Sequence, residues 1–346
     1  MPSPPALPAD PPPRPASRVA VTVHDVARAT GVSAMTVSRV LRTPQQVSER
    51  TRLAVQEAVR ALGYVPNLVA NGLRSSRSNL VSALVPTVQG SLFSGMVGAL
   101  TEALERRGFQ LTVGQIGYGR SREDDLLRAI VGRRPDGIVL TGILHSPESR
   151  TMLAASGIPV VETWDATDDP IDMLLRVSHD AIGRAVCDYL HARGKRRLAV
   201  LTGGDPRALR RADGLAARAA ERGLAGPPVH LLDSPTTHRH GREGLRALLA
   251  ATPGVDGVFC SSDLMAGGVL TEARALGIAV PEQLAVVGFG DLDFAATLLP
   301  SLTSVHIDGA AIGALAADMI AARADGAAVA ERTVDIAHRI VPRDSA

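Results

Sequence analysis

Thr22, Ser33, Thr36, Ser38 and Arg39 carry the most readable chemistry in this chain of 346 residues. They are four short hydroxyls and one guanidinium within or beside the stretch VTVHDVARATGVSAMTVSRVL, residues 21–41. Short hydroxyls suit phosphate oxygens, and a guanidinium suits either a phosphate or the paired acceptors of a guanine. The same hydroxyls also serve as helix caps or solvated surface, and Ser33 is a ready N-cap. Chemistry of other kinds is poorly supported. Gly114, Gly117 and Gly119 lack the strand, spacing and following helix of a dinucleotide loop. His238-Arg239-His240 has no further ligands nearby in sequence and reads as an exposed loop. No Ser-His-Asp or Cys-His arrangement can be argued, so an enzyme is disfavoured, and no cofactor or metal is expected.

Two helical patterns must position those side chains. One carries Val23, Val26, Ala27 and Thr30, the other Met35, Val37 and Val40, and the break between them is Gly31-Val32-Ser33. Two helices joined by a short turn containing glycine form a helix-turn-helix, which lays its second helix in the DNA major groove. Two helices bury little, so a third is needed. Ser48 can cap one over Glu49–Leu62 with Leu53, Ala54, Ala58, Ala61 and Leu62 on one face. Nine arginines against three acids give Arg18–Asn79 a charge of +6 in a chain whose net charge is only +2. That asymmetry points to a polyanion partner for the first part alone.

No apolar run reaches the roughly 18 residues of a membrane span. Residues 1–20 are rich in proline and alanine, lack the basic start and apolar run of a signal peptide, and read as a disordered tail. Cys187 and Cys260 sit in apolar patterns, so a disulfide framework is not expected and a reducing cytoplasm fits.

After Asn79 the pattern becomes an alternation. Short apolar runs (Leu80–Val85, Gly137–Leu140, Arg197–Leu201, Val255–Phe259, Leu284–Val287) alternate with helical patterns of roughly 10 to 15 residues. The fold class that follows is an all-α helix-turn-helix head plus an α/β core of parallel sheets covered by helices. The series runs twice, implying two lobes with a ligand cleft at the carboxyl ends of their strands.

The order of these motifs resembles the LacI family of transcriptional repressors. The head motif is followed by VSERTRLAVQEAVRALGYVPN, an Ala-x-x-Leu hinge, and the core motifs RGKRRLAVLTGG, RRADGL, DGVFCSSDLMAGGVL and VPEQLAVVGFGDLD. The resemblance covers about residues 21–342, and LRTPQQVS, GYGRSREDD and VVETWD are most similar to the gluconate-utilisation repressor branch. It implies a two-lobed, periplasmic-binding-protein-like core. The expected divisions are a tail (1–20), a head (21–66), a hinge helix and linker (67–79) and the core (80–346). Within the core the N-lobe is expected at about 80–176 plus 306–332, and the C-lobe at about 177–305 plus 333–346.

The resemblance also assigns residues. Ala34 and Met35 fall where the family touches base edges; neither makes bidentate hydrogen bonds, but both can pack on thymine methyls. Asn67, Ala70 and Leu73 fall in a hinge segment that folds on the operator and wedges Leu73 into the minor groove. Arg211 and Asp263 match positions that hold ligand hydroxyls or carboxylates in the cleft. Thr87, Phe93, Trp164, Asp165, Asp180 and Arg184 are placed around it. Arg184, Arg207, Arg210 and Arg211 together favour an anionic effector, with gluconate or a related sugar acid expected, although Arg207 and Arg210 each also read as solvated loop residues. The expected partners are a pseudo-palindromic DNA operator, that effector and a second copy of the chain; no heptad tail follows the last strand, expected at Thr333–Ile340, so the assembly expected is a homodimer.

Overall fold

The computed structural model describes residues 21–65, 77–87, 92–117, 120–143 and 145–346, with side chains omitted at 120–122. The expected tail and the hinge residues Asn67, Ala70 and Leu73 lie outside them. Two compact units result, residues 1–76 and 77–346.

In the first unit, α1 (Val23–Thr30), α2 (Ala34–Arg42) and α3 (Glu49–Leu62) enclose a core of Val26, Ala27, Val37, Val40 and Val55. Gly31 and Gly63 end α1 and α3 in the left-handed conformation, the usual reason for glycine at that place. The buried face of α3 differs from expectation. Val55 is its buried residue, while Leu53 and Leu62 are exposed. Met35 likewise points outward, 69% exposed, so it belongs to the outer face of α2 and not to the core.

The second unit contains two six-stranded sheets. The first half of the chain supplies β1 (Leu80–Val85), α4 (Ser94–Glu105), β2 (Gln110–Gln115), α5 (Arg120–Val131), β3 (Gly137–Thr141), α6 (Pro147–Ser156), β4 (Val160–Asp165) and β5 (Met173–Arg176). Then follow α7 (His179–Ala192), β6 (Leu198–Gly203), α8 (Pro206–Glu221), β7 (Val229–Leu232), α9 (His238–Ala251), β8 (Gly257–Cys260), α10 (Asp263–Ala275), β9 (Ala285–Phe289), β10 (Thr303–Ile307), α11 (Gly309–Ala324), β11 (Thr333–Asp335) and β12 (His338–Val341). The first sheet runs β11-β5-β4-β3-β1-β2 and the second β12-β10-β9-β8-β6-β7. All neighbours are parallel except β10 and β12. Strands β3, β4, β8 and β9 are buried along their whole length, as parallel strands covered on both faces must be.

The single last strand expected at Thr333–Ile340 is two strands. Thr333–Asp335 registers against Leu174–Arg176 in the first sheet, and His338–Val341 registers antiparallel to β10 in the second. The N-lobe therefore takes α11 and β11, and the C-lobe begins again only at β12. The chain passes between lobes three times, after β5, after β10 and after β11. His238, expected in a loop, opens α9.

Helix α4 packs on α11, α7 on α8, and α9 on α10. The α7–α8 contact is a backbone contact. A Cβ at Gly183 would lie 2.0 Å from the carbonyl oxygen of Arg211, and one at Gly214 would lie 2.4 Å from that of Asp180. In the N-lobe, His145 is wedged between Glu123 of α5 (2.5 Å) and Glu162 of β4 (3.3 Å), all three nearly inaccessible. Burial opposes the imidazolium there, but the two carboxylates outweigh it and push the His145 pKa up to about 9. Cys187 and Cys260 are buried free thiols. Among the described residues no helix is long and apolar enough to cross a membrane.

Candidate effector site and nucleic-acid interface

A cavity of about 100 Å³, partly open to solvent, lies between the lobes at the carboxyl ends of the strands. That is where an open parallel sheet leaves its loops and helix N-termini free. Phe93 and Trp164 form its N-lobe wall; His179, Asp205, Arg207, Arg211, Ser261 and Phe289 lie on the C-lobe side.

Trp164 sits at a register shift in the β4–β5 pairing, with φ of 63°. A tryptophan in the left-handed region is strained, and such strain persists only where neighbours fix it. Three neighbours do so. The indole Nε1–H donates to the Met96 sulfur at 3.0 Å, Phe93 packs edge-on at 5.3 Å, and His179 Nε2 donates to the Trp164 carbonyl at 2.9 Å.

Helix α8 supplies three arginines to this region. Asp205 caps its N-terminus and pairs with Arg207 at 2.9 Å, and the Arg207 guanidinium lies 5.8 Å from the Phe93 ring centre across the cleft. Burial would raise the Asp205 pKa, but Arg207 and Arg211 outweigh it and hold it at about 2. Arg210 reaches the N-lobe and pairs with Asp165 at 2.5 Å. Arg211, 4% exposed, stacks on Phe289 at 3.7 Å. Its hydrogen-bond partners are neutral, His179 Nδ1 at 3.1 Å and the Ser261 carbonyl at 3.4 Å, and its Nε has none. The adjacent carboxylates Asp205 and Asp165 are engaged by Arg207 and Arg210. Burial accordingly pulls the Arg211 pKa down to about 9.

Of the expected effector residues, the cavity brings together Phe93, Trp164 and Arg211. The other five are not among its lining residues. Asp263 is fully buried, accepting from the Ser304 hydroxyl at 2.6 Å and from the Leu292 N–H at 2.7 Å. Burial pushes its pKa up to about 6. Its carboxylate ties α10 to the strand ends, and Ser261 and Ser262 line the cavity instead. Asp165 is spent on Arg210 and on the Ala166 N–H. Asp180 and Arg184 pair with each other and Arg184 with Glu221 on the outer face of α7 and α8. Thr87 follows β1. Sequence reasoning missed His179, Asp205, Ser234, Thr236, Ser261, Ser262 and Phe289 as lining residues. The only available signal was their position just after a strand or at a helix cap.

In the head, Ser33 accepts from the Thr36 N–H at 3.1 Å and shares a hydroxyl contact with Thr36, so both serve the cap of α2. Thr22 donates to Asp25 through its N–H and its hydroxyl. Ser38 accepts from Arg42 at 2.9 Å. Met35 and Arg39, one helical turn apart, are exposed on α2, and Ala34 is half-buried.

Residues 22–67 match the family described as bacterial regulatory proteins, lacI family, and residues 187–346 match the periplasmic binding protein-like domain. The chain is 36% identical to the transcriptional regulator GntR of Pseudomonas aeruginosa, over 94% of this chain and 95% of that one. The chain belongs to the LacI family. The GntR of Escherichia coli K12 is 30% identical over 93% of this LacI-family chain and 98% of its own length. A solved LacI-family regulator from Silicibacter pomeroyi superposes with a TM-score of 0.88 at 32% identity, covering 94% of this chain and 99% of that one. The protein is therefore a DNA-binding transcriptional repressor of LacI type and not an enzyme.

Proposed function

We propose that this LacI-family repressor binds a pseudo-palindromic operator as a homodimer and is controlled by a small anionic polyol, gluconate or a related sugar acid. The observation that carries the effector class is Arg211. A guanidinium taken out of water with only neutral hydrogen-bond partners is costly, and a ligand carboxylate would add a charged acceptor. Phe93 and Trp164 offer apolar faces to a carbon chain, and Ser234, Thr236, Ser261 and Ser262 offer hydroxyl partners. Asp165, Asp180, Arg184 and Asp263 act as supports, because their charges are already engaged.

On the DNA side, Met35 and Arg39 are the side chains that α2 presents for the major groove. Ala34 lies beside them for thymine contact, and Thr22, Ser33, Thr36 and Ser38 lie at positions suited to phosphates once their caps are formed. Asn67, Ala70 and Leu73 would act in the minor groove between half-sites.

Thermal unfolding of the purified protein with gluconate, other sugar acids and neutral sugars tests the effector class. A ligand that binds only the folded state raises the melting temperature. Sugar acids should do so in a concentration-dependent way. Stabilisation by neutral sugars with none by acids would refute an anionic effector.

A further inference from the structure

His179 opens α7 in the C-lobe, yet its ring joins both lobes. Arg211 has only donors, so His179 Nδ1 must accept from it; the Trp164 carbonyl has no proton, so Nε2 must carry the hydrogen and donate. One neutral tautomer satisfies both. Burial, and next the charge of Arg211, hold the His179 pKa well below the usual imidazole range, so that tautomer persists at neutral pH. The charged groups facing it are Arg211, Arg207 and Arg210, all on α8.

The bond to Nδ1 uses Nη1 of Arg211. It leaves the opposite edge of the guanidinium, Nε and Nη2, with no partner at Nε and one long contact to a carbonyl at Nη2. That edge is a parallel pair of donors, the geometry that grips a carboxylate with two hydrogen bonds. The other ring nitrogen holds the main chain at the most strained residue of the N-lobe wall.

We propose that His179 is a positioning residue that turns the Nε–Nη2 edge of Arg211 toward the acid group of the effector and ties that edge to the N-lobe through the Trp164 carbonyl. The proposal rests on the anionic-effector reading. Under it, acid bound at Arg211 and the conformation of the Trp164 wall are one coupled system, since a shift of the guanidinium moves the ring that pins the strand end. A neutral polyol of the same length would lack the group that engages this edge.

Two substitutions separate the two ends of the ring. An asparagine amide reaches the place of Nδ1, and a glutamine amide reaches the place of Nε2. His179→Asn therefore restores an acceptor for Arg211 and drops the link to Trp164. His179→Gln keeps the link and drops the acceptor. The full chain would be titrated with gluconate and with sorbitol by calorimetry, and its release from an operator duplex selected in vitro would be measured with each. Gluconate affinity should fall about tenfold or more in His179→Gln and far less in His179→Asn. His179→Asn should bind gluconate yet release DNA less completely at saturation. Any weak sorbitol affinity should not follow this split, which a merely structural histidine could not produce. If both variants fold with near-native melting temperatures and match the wild type in affinity and in release, His179 positions nothing and the proposal falls. If they lose gluconate and sorbitol equally, the residue is only structural. Should the wild type bind neutral sugars and no acid, the effector reading and this proposal fail together.

Discussion

Trp164 and Met96 meet through a hydrogen bond from the indole Nε1–H to the thioether sulfur, 3.0 Å long and wholly buried. Trp164 is the chain's sole tryptophan, so its emission reports one wall of the cleft. Met96→Leu keeps the volume and removes the acceptor. The unpaired buried N–H should lower stability by about 1–3 kcal/mol, read as a lower urea midpoint at unchanged slope. Gluconate should change the emission of the wild type. A midpoint within error of the wild type would show that the sulfur contact contributes nothing.

Arg211→Met replaces a desolvated cation by an apolar side chain of similar length. Because the native partners are neutral, folding stability should stay within about 2 kcal/mol of the wild type or rise. Gluconate affinity should fall roughly 10- to 150-fold, leaving an operator-binding protein deaf to the acid. A loss of several kcal/mol on urea unfolding would mean that Arg211 is mainly structural.

Gly183→Ala places a methyl where the Arg211 carbonyl lies only 2.0 Å away. Backbone cannot move aside as a side chain can, so α7 and α8 must part. The expected cost is about 1–3 kcal/mol or more, accompanied by weaker gluconate binding because Arg211 rides on the displaced helix. Wild-type stability in urea would contradict the helix contact described.

The alkaline limb of stability should carry the signature of His145. Its folded pKa is raised to about 9 from the ordinary imidazole value of 6.5. A raised value means that the folded state holds its proton more tightly, so the contribution is complete below pH 6.5 and disappears as pH climbs through about 9. The amount at stake is on the order of 3 kcal/mol. Urea midpoints should decline across that window in the wild type and not in His145→Gln. Parallel curves for the two proteins would remove His145 from the account.

Arg39→Ala tests the exposed face of α2. A guanine contact predicts a loss of roughly 1–3 kcal/mol on the selected operator, with a much smaller loss on random-sequence duplex at the same salt. Equal losses on both would reassign Arg39 to a phosphate.

The head was legible because its punctuation is local. Ser33 caps α2, and Gly31 and Gly63 end α1 and α3 with a backbone only glycine adopts easily. The face of α3 was not legible, since Leu53 and Val55 are equally apolar in sequence and only the position of α1 and α2 decides which is covered. In the core, β5, β7 and β10 escaped notice; they are strands of four or five residues, and periodicity needs a longer window. In the site, Arg211, Phe93 and Trp164 were found by resemblance, and all three line one cavity. Asp263 lies off the cavity lining: a carboxylate in the first turn of a helix can face a ligand or turn inward, and the Ser304 hydroxyl that turns it inward lies 41 residues away. The hydroxyls of Ser234, Thr236, Ser261 and Ser262 carry no signature of their own, since serine and threonine are common in every loop.

The arrangement of the last strands fixes the order in which this protein can be made. The first sheet is closed at one edge by β11, and α11 covers one of its faces, although both are encoded after the whole of the C-lobe's parallel sheet. A ribosome that has delivered residues 80–176 has therefore produced an N-lobe with an open edge and a bare apolar face. The C-lobe in turn waits for β12. Both lobes become complete within a few residues of one another, near the end of synthesis, while the three-helix head is finished at its beginning. A nascent or truncated chain thus carries a completed three-helix head on an unfinished core.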